Sequence, residues 1–249
     1  MIRTRIIPAL LLENDSLVKT VRFRKPTYVG DPANTVRIFN ELEVDELLFL
    51  DITAAKERRG PNFEVLTNIA NECFMPLGYG GGICSLHQAK KVFDIGFEKV
   101  AINTQSAENS ALIEEIAGYF GSQAVIASID VKKNLFGKQT VRTLGGRKNI
   151  RRDPVIWAKE VEKMGAGEIL LTSIDNEGTW QGFDIDMVRR VADAVSIPVI
   201  AHGGAGKVEH IIEVVEQANA SAVALGSMVV FQKKGLGVLV SFPNNINWN

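Results

Sequence analysis

The amino-acid sequence predicts a single (β/α)8 barrel, the TIM-barrel fold, because short apolar strands alternate with amphipathic helices and because the chain repeats itself. A strand, a run of glycines and a helix at 75–91 (MPLGYGGGICSLHQAKK) recur at 197–215 (IPVIAHGGAGKVEHIIEVV), 122 residues later. The same spacing relates ELLFLDI at 46–52 to EILLTSI at 168–174. Two equivalent halves of this kind are typical of a duplicated half-barrel.

The length of 249 residues fits either two ordinary domains or one barrel, and the repeat favours one barrel. We expect one domain over 1–249, with half-barrels at about 1–120 and 121–231. The tail at 232–249 contains Gly235, Gly237 and Pro243, which oppose a long helix, and its apolar run at 238–240 is predicted to be extended.

Eight continuous apolar runs are predicted as barrel strands, since parallel strands covered on both faces need apolar side chains throughout. The predicted strands are 5–12, 46–51, 76–79, 99–103, 123–131, 168–173, 198–201 and 221–226. The predicted helices are 34–42, 63–73, 85–95, 110–120, 154–164, 185–194 and 207–217. Ser85 and Gln88 form a capping-box pattern, Gly96 predicts the end of the same helix, and Asp153 before Pro154 is typical of a helix start.

Composition excludes several classes of function. The net charge of −1 provides no basic field for nucleic acid and no attraction to acidic membranes. Cys73 and Cys84 lack metal-ligand spacing, so we expect free thiols in a reducing cytoplasm and no metal site. The apolar run at 6–12 is too short to span a membrane and lacks the flanks of a signal peptide. No cofactor is predicted.

Glycines between a strand and a helix can point backbone N–H groups at an anion, so each glycine turn is a candidate anion site. Two connections are longer than a crossover needs and carry several basic residues, at 13–32 and at 132–152. The first either folds over an anionic ligand as a flap or is a solvated charged loop. The second is predicted to contact phosphate.

The sequence resembles the cyclase subunit of imidazole glycerol phosphate synthase, a barrel of histidine biosynthesis. The resemblance runs from Arg3 to about Phe231 and is carried by the segments FLDITA, GYGGGI, GSQAV, GAGEILLTSID and GGAGK. It implies a substrate with a phosphate at each end and a glutaminase partner on the amino-terminal face of the barrel. It also implies that ammonia crosses the barrel and that two aspartates act as acid and base at the carboxyl ends of the strands.

Position by position, the resemblance implies a set of site residues. Asp130 matches one catalytic aspartate, and Lys19 is retained. The implied phosphate-binding residues are Gly81, Gly82, Asn103, Thr104, Gly203, Gly204, Gly226 and Ser227. Leu11 stands where the family has its other catalytic aspartate, so one of the two proton-transfer groups is missing.

Two smaller departures concern the second phosphate site and the turn before it. His202 replaces a serine, and it either adds a phosphate hydrogen bond or is only a larger neighbour. Glu177 replaces an aspartate in the turn at 175–179.

Four charged residues at strand starts match the family's ammonia entrance: Arg5, Glu46, Lys99 and Glu168. Their charges cancel, which suits a narrow mouth that admits neutral ammonia, because burying unpaired charges is costly. The other interpretation is a set of exposed ion pairs on the bottom rim.

These features resemble a paralogous branch associated with amidation of surface-polysaccharide sugars. We therefore predict a barrel that accepts ammonia from a glutaminase and passes it to a sugar amidotransferase for an acetamidino sugar. One alternative is a genuine cyclase that uses another acid in place of the missing aspartate. A second is a non-catalytic scaffold that binds a phosphorylated small molecule.

Overall fold

A computed structural model of the chain describes residues 4–243, which form twelve strands and ten α-helices. The strands are β1 (Arg5–Glu13), β2 (Ser16–Val21), β3 (Arg24–Gly30), β4 (Leu47–Asp51), β5 (Leu77–Gly80), β6 (Lys99–Ile102), β7 (Val125–Lys133), β8 (Gln139–Thr143), β9 (Lys148–Asn149), β10 (Glu168–Ser173), β11 (Val199–His202) and β12 (Ala222–Leu225). The helices are α1 (Pro32–Glu41), α2 (Ala54–Glu57), α3 (Phe63–Glu72), α4 (Leu86–Ile95), α5 (Thr104–Glu108), α6 (Ala111–Phe120), α7 (Pro154–Lys163), α8 (Ile185–Ala192), α9 (Val208–Ala218) and α10 (Ser227–Val230).

Eight of the strands close into a parallel barrel. Strand β1 pairs in parallel with β4 on one side and β12 on the other, and β7 pairs with β6 and β10. The (β/α)8 prediction is therefore confirmed, and each predicted barrel strand coincides with an observed one to within two residues at either end. In such a barrel the carboxyl ends of the strands lie on one face and the amino ends on the other.

The apolar core has two layers. Side chains between the sheet and the helices include Leu10, Phe39, Phe49 and Ile69. Inside the barrel lies a smaller cluster of Ile7, Ala9, Leu48, Ala101, Ile126, Leu170, Ile200, Ala222 and Ala224. Full burial of each large aliphatic side chain contributes about 1.5–3 kcal/mol, so both layers stabilise the barrel.

Helix ends follow the predicted capping signals with one change. Ser85 accepts a hydrogen bond from the Gln88 N–H at 3.3 Å, but the Gln88 side chain accepts from the N–H of Cys84, at 2.8 Å, instead of reaching back to Ser85. Asp153 accepts from the N–H groups at the start of α7, and Gly96 ends α4 with a φ of 118°. The contacts of Ser85 and Asp153 satisfy N–H groups at the helix starts that have no partner within the helix.

The two long connections are not plain loops, which corrects that part of the prediction. Residues 13–32 contain the antiparallel hairpin of β2 and β3, and β1 extends to pair with β2. In the second connection β8 pairs with β7 and β9 pairs with β8. Both hairpins extend the sheet beyond the barrel's carboxyl face. The short helices α2, α5 and α10, each directly after a barrel strand or one bend beyond it, were not predicted.

The described part of the tail turns back and runs antiparallel to residues 230–231, at the end of α10. Val238 pairs with Phe231, and the Leu239 N–H donates to the Val230 carbonyl at 3.0 Å, so the predicted extended run is confirmed. Residues 244–249, and Arg3 at the start of the resemblance, lie outside the described residues. Cys73 and Cys84 are free. Across 4–243, helices are too short or too polar to cross a membrane.

Candidate functional site

A cavity of about 490 Å³ opens at the carboxyl ends of the barrel strands. Leu11 of β1, Asp51 of β4, Asp130 of β7, Thr172 of β10 and His202 of β11 all line it. The ends of parallel strands in a barrel are the usual place for an active site, because the loops that follow can vary without disturbing the core. This cavity is the candidate site.

Asp130 is a buried carboxyl that lines the cavity. It accepts a hydrogen bond from Asn103 at 3.2 Å, and Thr172 lies beside it on the neighbouring strand. The pKa of Asp130 is raised to about 7, chiefly by burial and in part by the negative charge of Glu177, while Thr172, the Asn103 hydrogen bond and the Lys56 cation oppose the rise. A carboxyl with this pKa can both hold and release a proton near neutrality.

Leu11 makes the strand-one wall of the cavity apolar. Its side chain is buried, at 6% exposure, and the residue lies in register with Leu50 of β4 and Val18 of β2. Leu50 lines the cavity as well. At Leu11 the strand-one wall of the cavity therefore has no group that can transfer a proton.

Two cations on the cavity wall were missed by sequence reasoning. Arg59 forms an ion pair with Asp51 at 2.8 Å, and Asp51 in turn accepts from the Ala54 N–H at the start of α2. Lys56 lies on α2, and burial, followed by the charge of Arg147, lowers its pKa. The basic residues directly after the FLDITA segment were a signal for these two cations. Their direction toward the cavity depends on the short helix α2, which was not predicted.

Lys19 forms a buried ion pair with Glu177. Glu177 is 1% exposed and also accepts hydrogen bonds from the Thr20 hydroxyl at 3.1 Å and the Phe23 N–H at 3.0 Å. Glu177 thus holds the turn of the β2–β3 hairpin and the Lys19 ammonium together. A catalytic role for Lys19 remains a prediction.

The two sets of residues predicted to bind phosphate lie in different surroundings. Gly81, Gly82, Asn103 and Thr104 all line the cavity, and the Thr104 hydroxyl accepts from the Leu144 N–H at 3.1 Å. In the second set, a Cβ on Gly203 would lie 3.5 Å from the Glu177 backbone, and one on Gly226 would lie 2.7 Å from the Lys19 side chain. Gly203 and Gly226 are therefore close to the Lys19–Glu177 pair, whereas the Gly204 carbonyl accepts from the Gly182 N–H at 2.8 Å and Ser227 is buried.

The glycines of both turns have positive φ and pack against the chain's own backbone. A Cβ on Gly82 would overlap the Arg59 carbonyl oxygen, and one on Gly204 would overlap that of Gly182. A larger residue at either position would disrupt the turn itself before it could obstruct a ligand. Glycine substitutions therefore do not test phosphate binding.

Gly204→Ala is expected to lower the free energy of unfolding by more than about 2 kcal/mol, because the left-handed backbone alone costs about 1–2 kcal/mol and the Cβ overlap adds to it. The urea midpoint, followed by circular dichroism, measures this. Gly118→Ala is the matched control, since Gly118 lies within α6 with no atom near its Cβ position, and it should gain about 0.5–1 kcal/mol. A Gly204→Ala midpoint equal to that of the wild type would contradict the packing role.

At the amino ends of the strands, four charged side chains form a closed ring of alternating sign. Arg5 contacts Glu46 at 2.8 Å and Glu168 at 2.6 Å. Lys99 contacts the same two glutamates at 3.0 and 3.1 Å. Each cation thus touches both anions, and the ring is more than a set of separate rim pairs.

Fold and site together define a (β/α)8 barrel with a cavity and a titratable aspartate at the carboxyl ends of its strands, where barrels of this kind carry their sites. Within residues 4–243, no group of three or more His, Cys, Asp and Glu side chains is placed to hold a metal ion. The family model described as histidine biosynthesis protein matches residues 5–234, so the chain belongs to that family.

Named relatives agree with the resemblance to the synthase. The chain is 49% identical to the "Putative imidazole glycerol phosphate synthase subunit hisF2" of Pseudomonas aeruginosa, over 98% of this chain and 97% of that protein. It is 42% identical to the subunit named hisF3 of Vibrio vulnificus, over 98% and 94%. It is also 43% identical to the imidazole glycerol phosphate synthase subunit HisF of Caulobacter vibrioides, over 95% and 92%. The predicted membership of this family, as a paralogue, is confirmed.

Proposed function

We propose that the chain is the ammonia-accepting barrel subunit of a glutamine-dependent amidation system that modifies a surface-polysaccharide sugar. The observation that carries this proposal is the closed ring of Arg5, Glu46, Lys99 and Glu168 at the amino-terminal face. Three of the four side chains are largely buried there, and placing charges away from water costs several kcal/mol each before pairing offsets it. Retention of such a ring is more readily explained by a function at this face than by stability.

The chemistry of the ring suits ammonia. Two positive and two negative side chains cancel, so the mouth presents no net charge to a neutral molecule. Beyond it the barrel interior is lined by several small side chains, including Ala9, Ala101 and Ala224. A glutaminase partner that covers the ring would deliver ammonia into this interior, and a stable interface of that kind buries about 1,200–2,000 Å².

The absence of an acid at Leu11 supports amidation over cyclisation. The catalytic pair that the resemblance implies is reduced to Asp130, and a positioned proton-transfer group contributes about 10²–10⁴-fold to a rate. Ammonia that crosses the barrel would then serve a separate sugar amidotransferase. A genuine cyclase of histidine biosynthesis is the second candidate, favoured by the retained cavity and by the pKa of Asp130 near 7.

The proposal includes phosphate binding at both glycine turns. Crystals soaked in inorganic phosphate are expected to show it beside Gly82 and beside Gly204, where the strand ends meet helix starts. Ser227→Ala should weaken the second site, measured by calorimetry, and leave the first unchanged as an internal control. Soaked crystals with neither turn occupied would contradict this part of the proposal.

The proposal as a whole is tested by isolating the tagged chain from its own cells and identifying the bound proteins. Co-isolation of a glutaminase and a sugar-modifying amidotransferase is the expected result. A glutaminase alone, with cyclisation of the histidine-pathway intermediate, would favour the cyclase. Phosphate binding without any glutaminase would favour a non-catalytic scaffold.

A further inference from the structure

Asp130, Thr172 and His202 lie in one row across three neighbouring strands. Thr172 of β10 is in register with Asp130 of β7 on one side and with His202 of β11 on the other. The Thr172 hydroxyl oxygen is 3.1 Å from Nδ1 of His202, and Thr172 lies directly beside Asp130 on the neighbouring strand, where it lowers the pKa of the Asp130 carboxyl. All three side chains are buried, and all three residues line the cavity.

We propose that this row is a proton relay, in which the protonation state of Asp130 sets the tautomer of His202 through Thr172. A threonine hydroxyl has only one hydrogen to donate, so the protonation state of Asp130 fixes the direction of both hydrogen bonds in the row. When Asp130 is ionised, it accepts the Thr172 hydrogen, and Thr172 accepts a hydrogen from Nδ1 of His202. When Asp130 is protonated, it donates to Thr172, and Thr172 donates to an unprotonated Nδ1.

The charges around the row allow the aspartate to titrate while the imidazole stays neutral. Burial and, to a smaller extent, the positive charge of Lys19 lower the pKa of His202 to about 4, against the opposing effect of Glu177. Asp130, which faces Glu177, Lys56, Asn103 and Thr172, has a pKa of about 7. Near neutrality the aspartate therefore changes charge and the histidine changes only its tautomer.

The relay moves one proton from one end of the row to the other. A bond forms between an incoming proton and Nε2 of His202, and the Nδ1–H bond breaks as that hydrogen passes to the Thr172 oxygen. The original Thr172 O–H bond breaks at the same time, and its hydrogen joins the Asp130 carboxylate. One proton is added at Nε2 of His202 and one is gained by the Asp130 carboxylate, so the number of hydrogens balances. His202 thereby becomes a second proton-accepting residue of a cavity whose strand-one wall, at Leu11, has none.

The relay applies to either reaction considered above, since it concerns proton storage at Asp130 and not the acceptor of ammonia. Its test therefore uses the free protein and does not depend on any partner. The chain contains three histidines, which makes histidine-specific ¹⁵N labelling readable. His210 is an internal reference, because its Nδ1 accepts from the Gly206 N–H at 3.2 Å and its tautomer is held locally.

Between about pH 5.5 and 8.5 the two ring nitrogens of His202 should exchange character in opposite directions, with Nδ1 gaining a hydrogen as Asp130 ionises. The midpoint should equal that of the Asp130 carboxyl followed by ¹³C. Thr172→Ser should keep the response, while Thr172→Val and Asp130→Asn should abolish it with the His210 signals unchanged.

Four results would overturn the relay. His202 nitrogens that stay constant while Asp130 titrates would show that Thr172 transmits nothing. Movement of both nitrogens toward the charged imidazolium would show simple protonation. A response retained in Thr172→Val, or no titration of either group over this range, would exclude the row as the path.

Discussion

Leu11→Asp should raise the rate of cyclisation of the two-phosphate histidine-pathway intermediate, with saturating ammonia, by about 10²–10⁴-fold over the wild type. The wild-type chain should turn over far below the rate of about 1 per second expected of a biosynthetic enzyme. The physical reason is that Leu11 lines the same cavity as Asp130 but has no proton to move. An aspartate at this position would complete the pair that the resemblance implies, and paired groups of this kind act together.

Leu11→Asn is the matched control, because it has the size and polarity of aspartate without its titration. It should leave the rate at the wild-type value, and Leu11→Asp combined with Asp130→Asn should lose the gain. Urea unfolding of each variant shows whether the buried polar group destabilises the barrel. Wild-type cyclisation at about 1 per second or faster would overturn the expectation and make the cyclase the first candidate.

Lys99→Ala should uncouple glutamine hydrolysis from product formation in the reconstituted system. The wild type should form close to one product per glutamine hydrolysed, and the variant should form clearly less. Lys99 contacts both Glu46 and Glu168, so its removal leaves two largely buried carboxylates with Arg5 alone. The resulting imbalance either widens the mouth, so that ammonia escapes, or collapses it.

Two controls separate the channel from general effects. Arg37→Ala makes the same charge change at an exposed side chain paired with Glu72, away from the cavity and the ring, and should leave the ratio of product to glutamine unchanged. Ammonia supplied directly at high concentration should restore acceptor turnover by Lys99→Ala, because the cavity at the other face is intact. If Lys99→Ala and Glu46→Ala both leave glutaminase binding and the ratio at wild-type values, the ring is only surface electrostatics.

The fold was largely predictable because its signals are local. Buried parallel strands need continuous apolar runs, helix starts need capping residues such as Ser85 and Asp153, and both patterns are visible in short windows of sequence. The internal repeat then linked those elements into one closed sheet. The position of Leu11 near the end of the first strand was predictable for the same reason, since it follows from one recognisable apolar run.

The hairpin of β2 and β3 shows where local signals fail. Its two turn residues, Arg22 and Phe23, both have positive φ, which hairpin turns usually obtain from asparagine or glycine. The turn is held instead by Glu177, which binds the Phe23 N–H and the Lys19 ammonium. Because Lys19 and Glu177 are 158 residues apart, this support cannot be seen in any short window.

By itself, then, the sequence determined the barrel, its internal repeat and the positions of Asp130 and Leu11 at strand ends, because each depends on residue type at a position within one strand or turn. Only the tertiary structure decided that four separate strand starts close into one ring, that Lys56 and Arg59 face the cavity, and that Asp130, Thr172 and His202 share a row. The physical reason is that these contacts depend on strand register and side-chain direction across the closed sheet, which join residues far apart in the chain.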